Sequence, residues 1–483
     1  MDFKKGRPLI FYDINNSLDL SKDNQVYDTC IIGAGAAGIT LALDLEKKGF
    51  KVALCEAGNF EYSEISQDSY KGKIAADPYL PLDTARLRFL GGSTNHWAGW
   101  CRPFESIDFN RGYMGEHFRW PIAYADIFAY RDRACEILEI PNKFEANDRN
   151  MTKDIKKIDF QFSPPVRFGS KYKNILAKSD NIKVFLNANL VGLEGTKGNI
   201  TSAKFMNYKN KSIFIKSKKF IFSMGGIENS RFLLWFSRLY GNKFFKTSTP
   251  IGEYWMEHPH FTIGRAIVNK TVLKYPFYAT TQIAQKDLNI LGCGLRVEPL
   301  EHSGAKKLFN DLMCSAPSIS RKLINPDLVC GVKFRSAWEQ APEKNNKILL
   351  SEEKDNFDVN RPILFWKKNN IDRTTLVDSI NRFNDWILMK NLGRIKLEDW
   401  VLNNEEYPEK DELAGYHHMG GTRMHNSEEY GVVDKNCKVY GSKNLYMAGS
   451  SIFTTGGYNN PTLPIIQLTL RLADHLVLSL IHI

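Results

Sequence analysis

Residues 26–58 read VYDTCIIGAGAAGITLALDLEKKGFKVALCEAG and contain the pattern that determines the fold. The apolar run 30–32 predicts a buried strand, and the glycine-rich run 33–38 predicts a tight turn after it. An amphipathic helix and a second short strand at 52–55 are predicted next. Because strand, turn, helix and strand in this order form a βαβ unit of a parallel sheet, we predict an α/β fold.

The turn carries the glycine pattern of a dinucleotide-binding site. Gly33 permits the tight turn, Gly35 lets the backbone approach a pyrophosphate, and Gly38 allows the helix to pack closely on the strand. Glu56 stands at the end of the second strand, 23 residues after Gly33, where an acidic side chain would hold a ribose hydroxyl. A lone GxGxxG pattern is weak evidence, but the flanking strands, helix and acid make this one specific.

A second pattern lies further along, where residues 417–424 read HHMGGTRM and residues 444–476 read NLYMAGSSIFTTGGYNNPTLPIIQLTLRLADHL. The apolar spacing after Pro461 predicts a long helix with Asn460 as its cap. A helix start offers free N–H groups and positive partial charge to an anionic ligand, and His417 offers a base. A capped helix packed on a structural histidine turn is the alternative interpretation.

Composition and charge narrow the class of protein. The chain has 483 residues, of which 43% are hydrophobic and 12% aromatic, and its net charge is +11. A chain of this length is expected to form about three folding units, and two interleaved domains would also account for the length. Because the lysines are spread out and no arginine-rich arm is present, the charge indicates a solvated basic surface, and no nucleic-acid partner is predicted.

The spacing of the cysteines and the length of the apolar runs indicate the cellular compartment of the protein. None of the eight cysteines forms a CxxC pair, which predicts reduced cysteines in a cytoplasmic protein and neither a disulfide framework nor a metal site. The first residues lack the apolar run of a signal peptide. No run of about 20 apolar residues occurs, so no transmembrane segment is expected.

The rest of the chain predicts a second domain built on a sheet. Residues 222–234 contain another strand, Gly-Gly turn and helix that would face the same ligand. Alternating segments between about 266 and 414 predict an antiparallel sheet with one helix near 373–390, and residues 304–327 are interpreted as a lid or an insertion. We therefore predict a Rossmann-like domain from residues 1–105, 181–265 and 415–483, and an α+β substrate-binding domain from residues 106–180 and 266–414.

Five separated stretches together resemble the glucose–methanol–choline (GMC) family of flavin oxidoreductases, nearest its pyranose- and sugar-oxidising branch. They are the fingerprint at 28–58, GGSTNHW at 91–97, FSMGGIENSRFLL at 222–234, EYWMEHP at 253–259 and the two C-terminal patterns. The resemblance frames nearly the whole chain, although no recognisable motif falls within the predicted substrate domain. It implies a GMC-type fold, an enzyme, and FAD as the cofactor.

The resemblance also implies which residues contact FAD. It places the pyrophosphate on the first glycine turn, the adenosine ribose on Glu56 and the flavin ring against Gly91 and Gly92. His96 falls where some members attach the flavin to a histidine, so covalent attachment and packing beside the ring are both open. The implied set is Gly33, Gly35, Ala36, Ala37, Gly38, Glu56, Gly91, Gly92, Ser93, Asn95, His96, Val191, Gly449, Ser450, Asn460, Pro461 and Thr462.

The implied reaction is oxidation of the CH–OH group of a small-molecule alcohol or sugar, with hydride passing to the flavin N5. His417 is the implied general base, His418 is the second candidate, and Asn460 would donate to the substrate oxygen. Aromatic candidates for stacking on a sugar ring are Trp97, Trp100, Trp255, Trp338 and Tyr278. The electron acceptor is left open. The alternatives are a flavin-containing lyase of the same fold and a flavoprotein subunit that relays electrons to a partner.

Overall fold

The computed structural model describes residues 11–16, 25–164, 166–274, 276–299, 328–403, 405–411 and 413–481. Within these residues the strands form two eight-stranded sheets, one three-stranded sheet and one two-stranded sheet. The segment 304–327, interpreted from the sequence as a lid or an insertion, lies outside the described residues.

The first sheet combines strands from distant parts of the chain. Every residue of Val52–Cys55 is buried, as expected where both faces of a parallel sheet are covered. Two strands, Asn189–Thr196 and Asn199–Met206, add to it antiparallel, and the other pairs are parallel. In spatial order the strands are Phe11–Asp13, Ile182–Leu186, Val52–Cys55, Val26–Ile32, Ser212–Phe222, Asn199–Met206 and Asn189–Thr196, while Leu445–Met447 also pairs with Ser212–Phe222.

Three long helices contribute to the hydrophobic core around this sheet. Ala36–Lys47 follows the first glycine turn, and Glu228–Tyr240 begins after the second glycine turn, within the predicted stretch 222–234. The C-terminal helix, Thr462–Ile481, packs against Ala36–Lys47. Gly38 permits the close approach of turn and helix, because a Cβ atom there would lie 1.9 Å from the carbonyl oxygen of Gly33.

The second sheet is antiparallel throughout its described strands. Helix Asn370–Met389 packs on it, and Phe261, Phe334 and Phe383 lie in the core between them. In spatial order the strands are Gly393–Leu397, Pro259–Asn269, Leu328–Trp338, Cys293–Pro299, Phe277–Thr280, Ile155–Lys157 and Arg149–Asn150, while Leu413–Ala414 also pairs with Pro259–Asn269.

Smaller elements complete the described chain. The three-stranded sheet contains Lys347–Lys354, Asn360–Trp366 and Lys73–Ala76, and the two-stranded sheet contains Trp100–Cys101 and Gln161–Phe162. In the part of the chain that the structure describes, no helix has the length and apolarity needed to cross a bilayer. The shorter α-helices are Glu64–Gln67, Tyr124–Phe128, Arg131–Leu138, Phe144–Asn147, Phe168–Leu176, Lys270–Lys274, Gln282–Asp287 and Asp399–Leu402.

The predicted domain boundaries stay a proposal. The composition of the two large sheets supports it, but several segments depart from it. Helices Tyr124–Phe128 and Arg131–Leu138 lie in the predicted substrate domain, yet they pack against the C-terminal helix and add residues to the first core. Strand Lys73–Ala76 lies in the predicted Rossmann-like domain but pairs with Asn360–Trp366. Amphipathic helices pack wherever an apolar face is available, so their position in the sequence alone does not assign them to a domain.

Candidate active site

A cavity of about 740 Å³ lies at the carboxyl ends of the parallel strands. The turns 33–37 and 223–226, each following a strand of the first sheet, line it, as does Gly449 after Leu445–Met447. Residues 294–296 of the second sheet also line it. Ligands of open α/β sheets bind at this edge, and the volume suits a small-molecule or cofactor site.

The glycine turns leave room for a ligand. Gly35, Gly225 and Gly449 all line the cavity, and a Cβ atom added to any of them would meet no protein atom within 4 Å. Gly33 differs, because a Cβ atom there would lie 2.6 Å from the carbonyl oxygen of Ser223. The turn is therefore packed tightly against the protein on one side and open to the cavity on the other, as a cradle for a pyrophosphate requires.

Glu56 is held rigidly at the cavity edge. Its carboxylate accepts hydrogen bonds from the backbone N–H groups of Ala34 (2.9 Å) and Gly58 (3.0 Å), and its side chain is buried. Each carboxylate oxygen can accept a further hydrogen bond, so Glu56 can still accept one from a ribose hydroxyl. The turns and Glu56 thus fit the adenine-dinucleotide part of FAD.

Most of the predicted site residues lie together around this cavity. The members of the predicted set that line it are Gly33, Gly35, Ala36, Ala37, Glu56, Gly92, Ser93, His96, His417, His418, Gly449, Ser450, Asn460, Pro461 and Thr462.

Four predicted cofactor residues lie outside the cavity lining. Gly38 packs on the first glycine turn, and Gly91 packs on Gly169, whose backbone nitrogen would lie 2.4 Å from an added Cβ atom. Asn95 turns its amide inward and donates to the carbonyl oxygens of Leu90 and Gly92. Val191 is half-buried and packs against the first core. As the structure has them, these four shape the fold around the site and do not line it.

His417 and Asn460 form a pair on the cavity wall. Asn460 Nδ2 lies 3.2 Å from His417 Nε2, and both side chains remain partly accessible. Burial of the imidazole, followed by the electrostatic effect of the neighbouring His258, holds the pKa of His417 well below its ordinary value. His417 is therefore unprotonated at neutral pH, the form that a general base requires.

The loop at Glu257 and His258 supports His417, and the sequence did not predict a role for either residue. His258 Nδ1 lies 2.8 Å from His417 Nδ1, and one carboxylate oxygen of Glu257 accepts from the backbone N–H groups of both histidines. Burial raises the pKa of Glu257 to about 7. The EYWMEHP motif contains both residues, so it was the available signal.

His418 is less suited to act as the base. Its Nε2 lies 2.9 Å from the hydroxyl of Tyr79, which in turn is hydrogen-bonded to Glu257. Its carbonyl oxygen accepts from Ser450 Oγ at 2.6 Å. Burial lowers the pKa of this imidazole too, to about 3, so the hydrogen-bond partners distinguish the two histidines. His418 thus belongs to a buried hydrogen-bonded chain, whereas His417 has a nitrogen on the cavity wall.

The aromatic residues that the sequence suggested for stacking divide into two groups. Trp97, Trp100 and Tyr278 line the cavity. Trp255 and Trp338 are fully buried and outside its lining, so they are packing residues and the suggestion was wrong for them. Large aromatic rings bury well in any core, and their side-chain direction is not visible in an isolated sequence.

Comparisons with known proteins agree with this geometry. Residues 342–469 match the family model described as GMC oxidoreductase, and residues 28–138 match the model described as FAD dependent oxidoreductase. The chain is similar to the fructose dehydrogenase large subunit of Gluconobacter japonicus, with 22% identity over 94% of this chain and 98% of that one. It is also similar to 2-methyl-1,2-propanediol dehydrogenase of Mycolicibacterium austroafricanum, with 21% identity over 93% and 95% of the two chains.

The fold is likewise similar to that of a solved structure. The pyridoxine 4-oxidase structure from Mesorbium loti aligns with a TM-score of 0.60 and 13% identity, covering 93% of this chain and 99% of that one. At this identity the likeness concerns the fold, which supports the predicted Rossmann-like sheet joined to an antiparallel one.

Fold and cavity together define a flavoenzyme with a dinucleotide site joined to a second, sheet-based core. The chain belongs to the GMC family of FAD-dependent oxidoreductases. The predictions of the family, the fold class, FAD as cofactor and an oxidoreductase acting on CH–OH groups are confirmed at this level. The roles of individual site residues stay predictions.

Proposed function

We propose that this chain oxidises the CH–OH group of a small-molecule alcohol or sugar, with His417 as the general base and Asn460 as the donor to the substrate oxygen. The approach of Asn460 Nδ2 to His417 Nε2 at 3.2 Å carries the proposal. An amide nitrogen only donates hydrogen bonds, so the facing Nε2 is unprotonated and accepts. A hydroxyl placed between them would give its proton to Nε2 and receive a hydrogen bond from the amide.

Bound FAD supplies the hydride acceptor for this oxidation. The chain's own residues prepare the substrate. His417 removes the hydroxyl proton, Asn460 orients the oxygen, and the start of helix Thr462–Ile481 stabilises negative charge at the cavity wall. A well-placed general base is typically worth about 10²–10⁴ in rate. The glycine turns, Glu56 and Ser450 would hold the cofactor.

A labelled substrate tests the proposed reaction. The purified chain is assayed with an artificial electron acceptor and a panel of sugars, polyols and simple alcohols. The best substrate is then prepared with deuterium on its carbinol carbon. We expect a carbonyl product and slower oxidation of the labelled substrate, because the C–H bond breaks in the reaction. A reaction without a carbonyl product and without an isotope effect would favour the lyase alternative.

We further propose that His96 attaches the flavin covalently, supported by the resemblance and by its exposed position on the cavity lining. Burial of part of the ring and the nearby Arg167 charge lower the pKa of His96, which keeps its ring nitrogen available for bonding. Acid-precipitated protein is expected to stay yellow, and a peptide containing His96 should carry the flavin mass.

The matched variant for this linkage is His96→Ala, which should release its flavin on acid precipitation while binding it reversibly in the folded state. Release of flavin from the wild-type protein under the same conditions would show that His96 lines the cavity without a linkage. The roles proposed for His417 and Asn460 do not depend on this result.

We also propose what kind of electron acceptor the chain uses and in which compartment it works. The likeness to a protein named as the large subunit of a dehydrogenase supports an electron acceptor carried by a partner protein. The ratio of turnover with oxygen to turnover with an artificial acceptor would test this proposal. Six cysteines in the described residues are buried and in no disulfide. Their state supports a reducing compartment such as the cytoplasm.

A further inference from the structure

His258 lies directly behind the base that we propose. It precedes strand Pro259–Asn269, and its ring is 2% exposed. Both ring nitrogens have partners: Nε2 lies 2.7 Å from the carbonyl oxygen of Gly457, and Nδ1 lies 2.8 Å from Nδ1 of His417. The Nε2 of His258 is held by a backbone carbonyl, whereas the Nε2 of His417 faces a side-chain amide on the cavity wall. His258 is therefore poorly placed to take a proton from substrate, and its position needs another explanation.

The carbonyl of Gly457 determines where the protons lie along this chain of rings. A carbonyl oxygen only accepts, so His258 carries its proton on Nε2. Burial lowers the pKa of His258 to about 4, so the ring is neutral and its Nδ1 is an acceptor. His417 must then donate through Nδ1–H, which leaves a lone pair on its Nε2. Asn460, which donates to that same Nε2, fits this assignment from the opposite side.

We propose that His258 is a positioning residue that holds His417 in the Nδ1–H tautomer, with the unprotonated Nε2 facing the cavity. This inference rests on the proposed function of His417. Without the acceptor at His258, the neutral His417 ring could carry its proton on Nε2 instead. In that tautomer the nitrogen on the cavity wall is a donor and cannot remove a hydroxyl proton.

The hydrogen bond from His417 to His258 also stabilises the positive charge that His417 gains during the proposed reaction. When His417 takes up the substrate proton, its Nδ1–H becomes part of an imidazolium, and a hydrogen bond from a charged donor is stronger than one from a neutral donor. The other titratable groups facing His417 are His260 and His418, whose charges would oppose protonation, and Glu257, which binds its backbone N–H. His258 is the side chain that contacts its Nδ1.

Two substitutions separate the tautomer role from simple packing. His258→Asn places an amide oxygen near the position of Nδ1 and can still accept from His417, whereas His258→Leu fills similar space and cannot. We expect His258→Leu to lower kcat about 10²–10⁴-fold with little change in KM, because loss of a tautomer-fixing partner has effects of this size. His258→Asn should keep its kcat within about tenfold of wild type.

Nitrogen NMR of the histidine rings gives a readout that does not depend on turnover. The chain contains ten histidines, and the His417 signals are identified by their loss in His417→Ala. Wild type and His258→Asn should show the Nδ1–H form of His417, and His258→Leu should show a large fraction of the Nε2–H form.

An Nε2–H form of His417 in the wild-type spectrum would overturn the inference, even if the leucine variant does not fold. So would a wild-type kcat in a folded, flavin-loaded His258→Leu protein. Failure of the proposed function looks different, because His417→Ala would then keep its activity whatever tautomer the wild type shows.

Discussion

Replacing His417 with alanine is expected to slow flavin reduction by substrate about 10²–10⁴-fold while the protein keeps its flavin. The imidazole contributes the proton acceptor on the cavity wall, 3.2 Å from the Asn460 amide. Neighbouring histidines do not replace it, since His258 is bonded to Gly457 and His418 to Tyr79. Rapid-mixing measurement of the flavin absorbance without oxygen gives the rate directly.

His475→Ala is the matched control for this experiment. His475 is half-buried on the C-terminal helix and lies outside the cavity lining. Its replacement should leave the reduction rate within about twofold of wild type, as for most substitutions away from a functional site. Reduction of His417→Ala at the wild-type rate would remove His417 as the base, and equal losses in both variants would indicate a general effect on folding.

Gly35→Val is expected to yield folded protein without FAD. The backbone at Gly35 is extended, with φ −86° and ψ −163°, so a branched residue can adopt it. A Cβ atom there would meet no protein atom within 4 Å, so the new side chain projects into the cavity where the resemblance places the pyrophosphate. We expect FAD affinity to fall on the order of 100-fold or more, a loss of about 3 kcal/mol.

Thermal unfolding distinguishes loss of the cofactor from loss of the fold. The comparison uses the His96→Ala background, in which flavin binds reversibly. The apo forms of His96→Ala and of His96→Ala with Gly35→Val should unfold at similar temperatures. Added FAD should raise the melting temperature of apo His96→Ala only, because a ligand of the native state present at about 100 times its Kd adds about 2.7 kcal/mol. An apo double variant that is much less stable than apo His96→Ala, or a double variant with normal FAD content, would contradict this role for Gly35.

The sequence predicted best those parts of the site that lie within one short segment of the chain. The strand, glycine turn and helix at 26–47 and the second glycine turn at 222–234 each lie within one short segment, so spacing alone predicted them. The pairing of His417 with Asn460 also followed, because both residues lie in motifs of the recognised family.

Contacts between distant segments could not be predicted in the same way. His258 and His417 are 159 residues apart in the chain, and nothing in a short segment shows that their rings meet. The tautomer of His417 depends on a backbone carbonyl at Gly457, which has no sequence signature. The apolar faces of the helices at 124–138 could equally have packed on either core.

A single-turnover experiment without oxygen tests FAD-dependent alcohol oxidation most directly. The purified chain is mixed with each member of the substrate panel while the flavin absorbance and the product are followed together. We expect at least one alcohol or sugar to bleach the flavin band as an equivalent amount of aldehyde or ketone forms. Conversion of a substrate while the flavin stays oxidised, or a flavin that stays oxidised with every member of the panel, would contradict the proposed function.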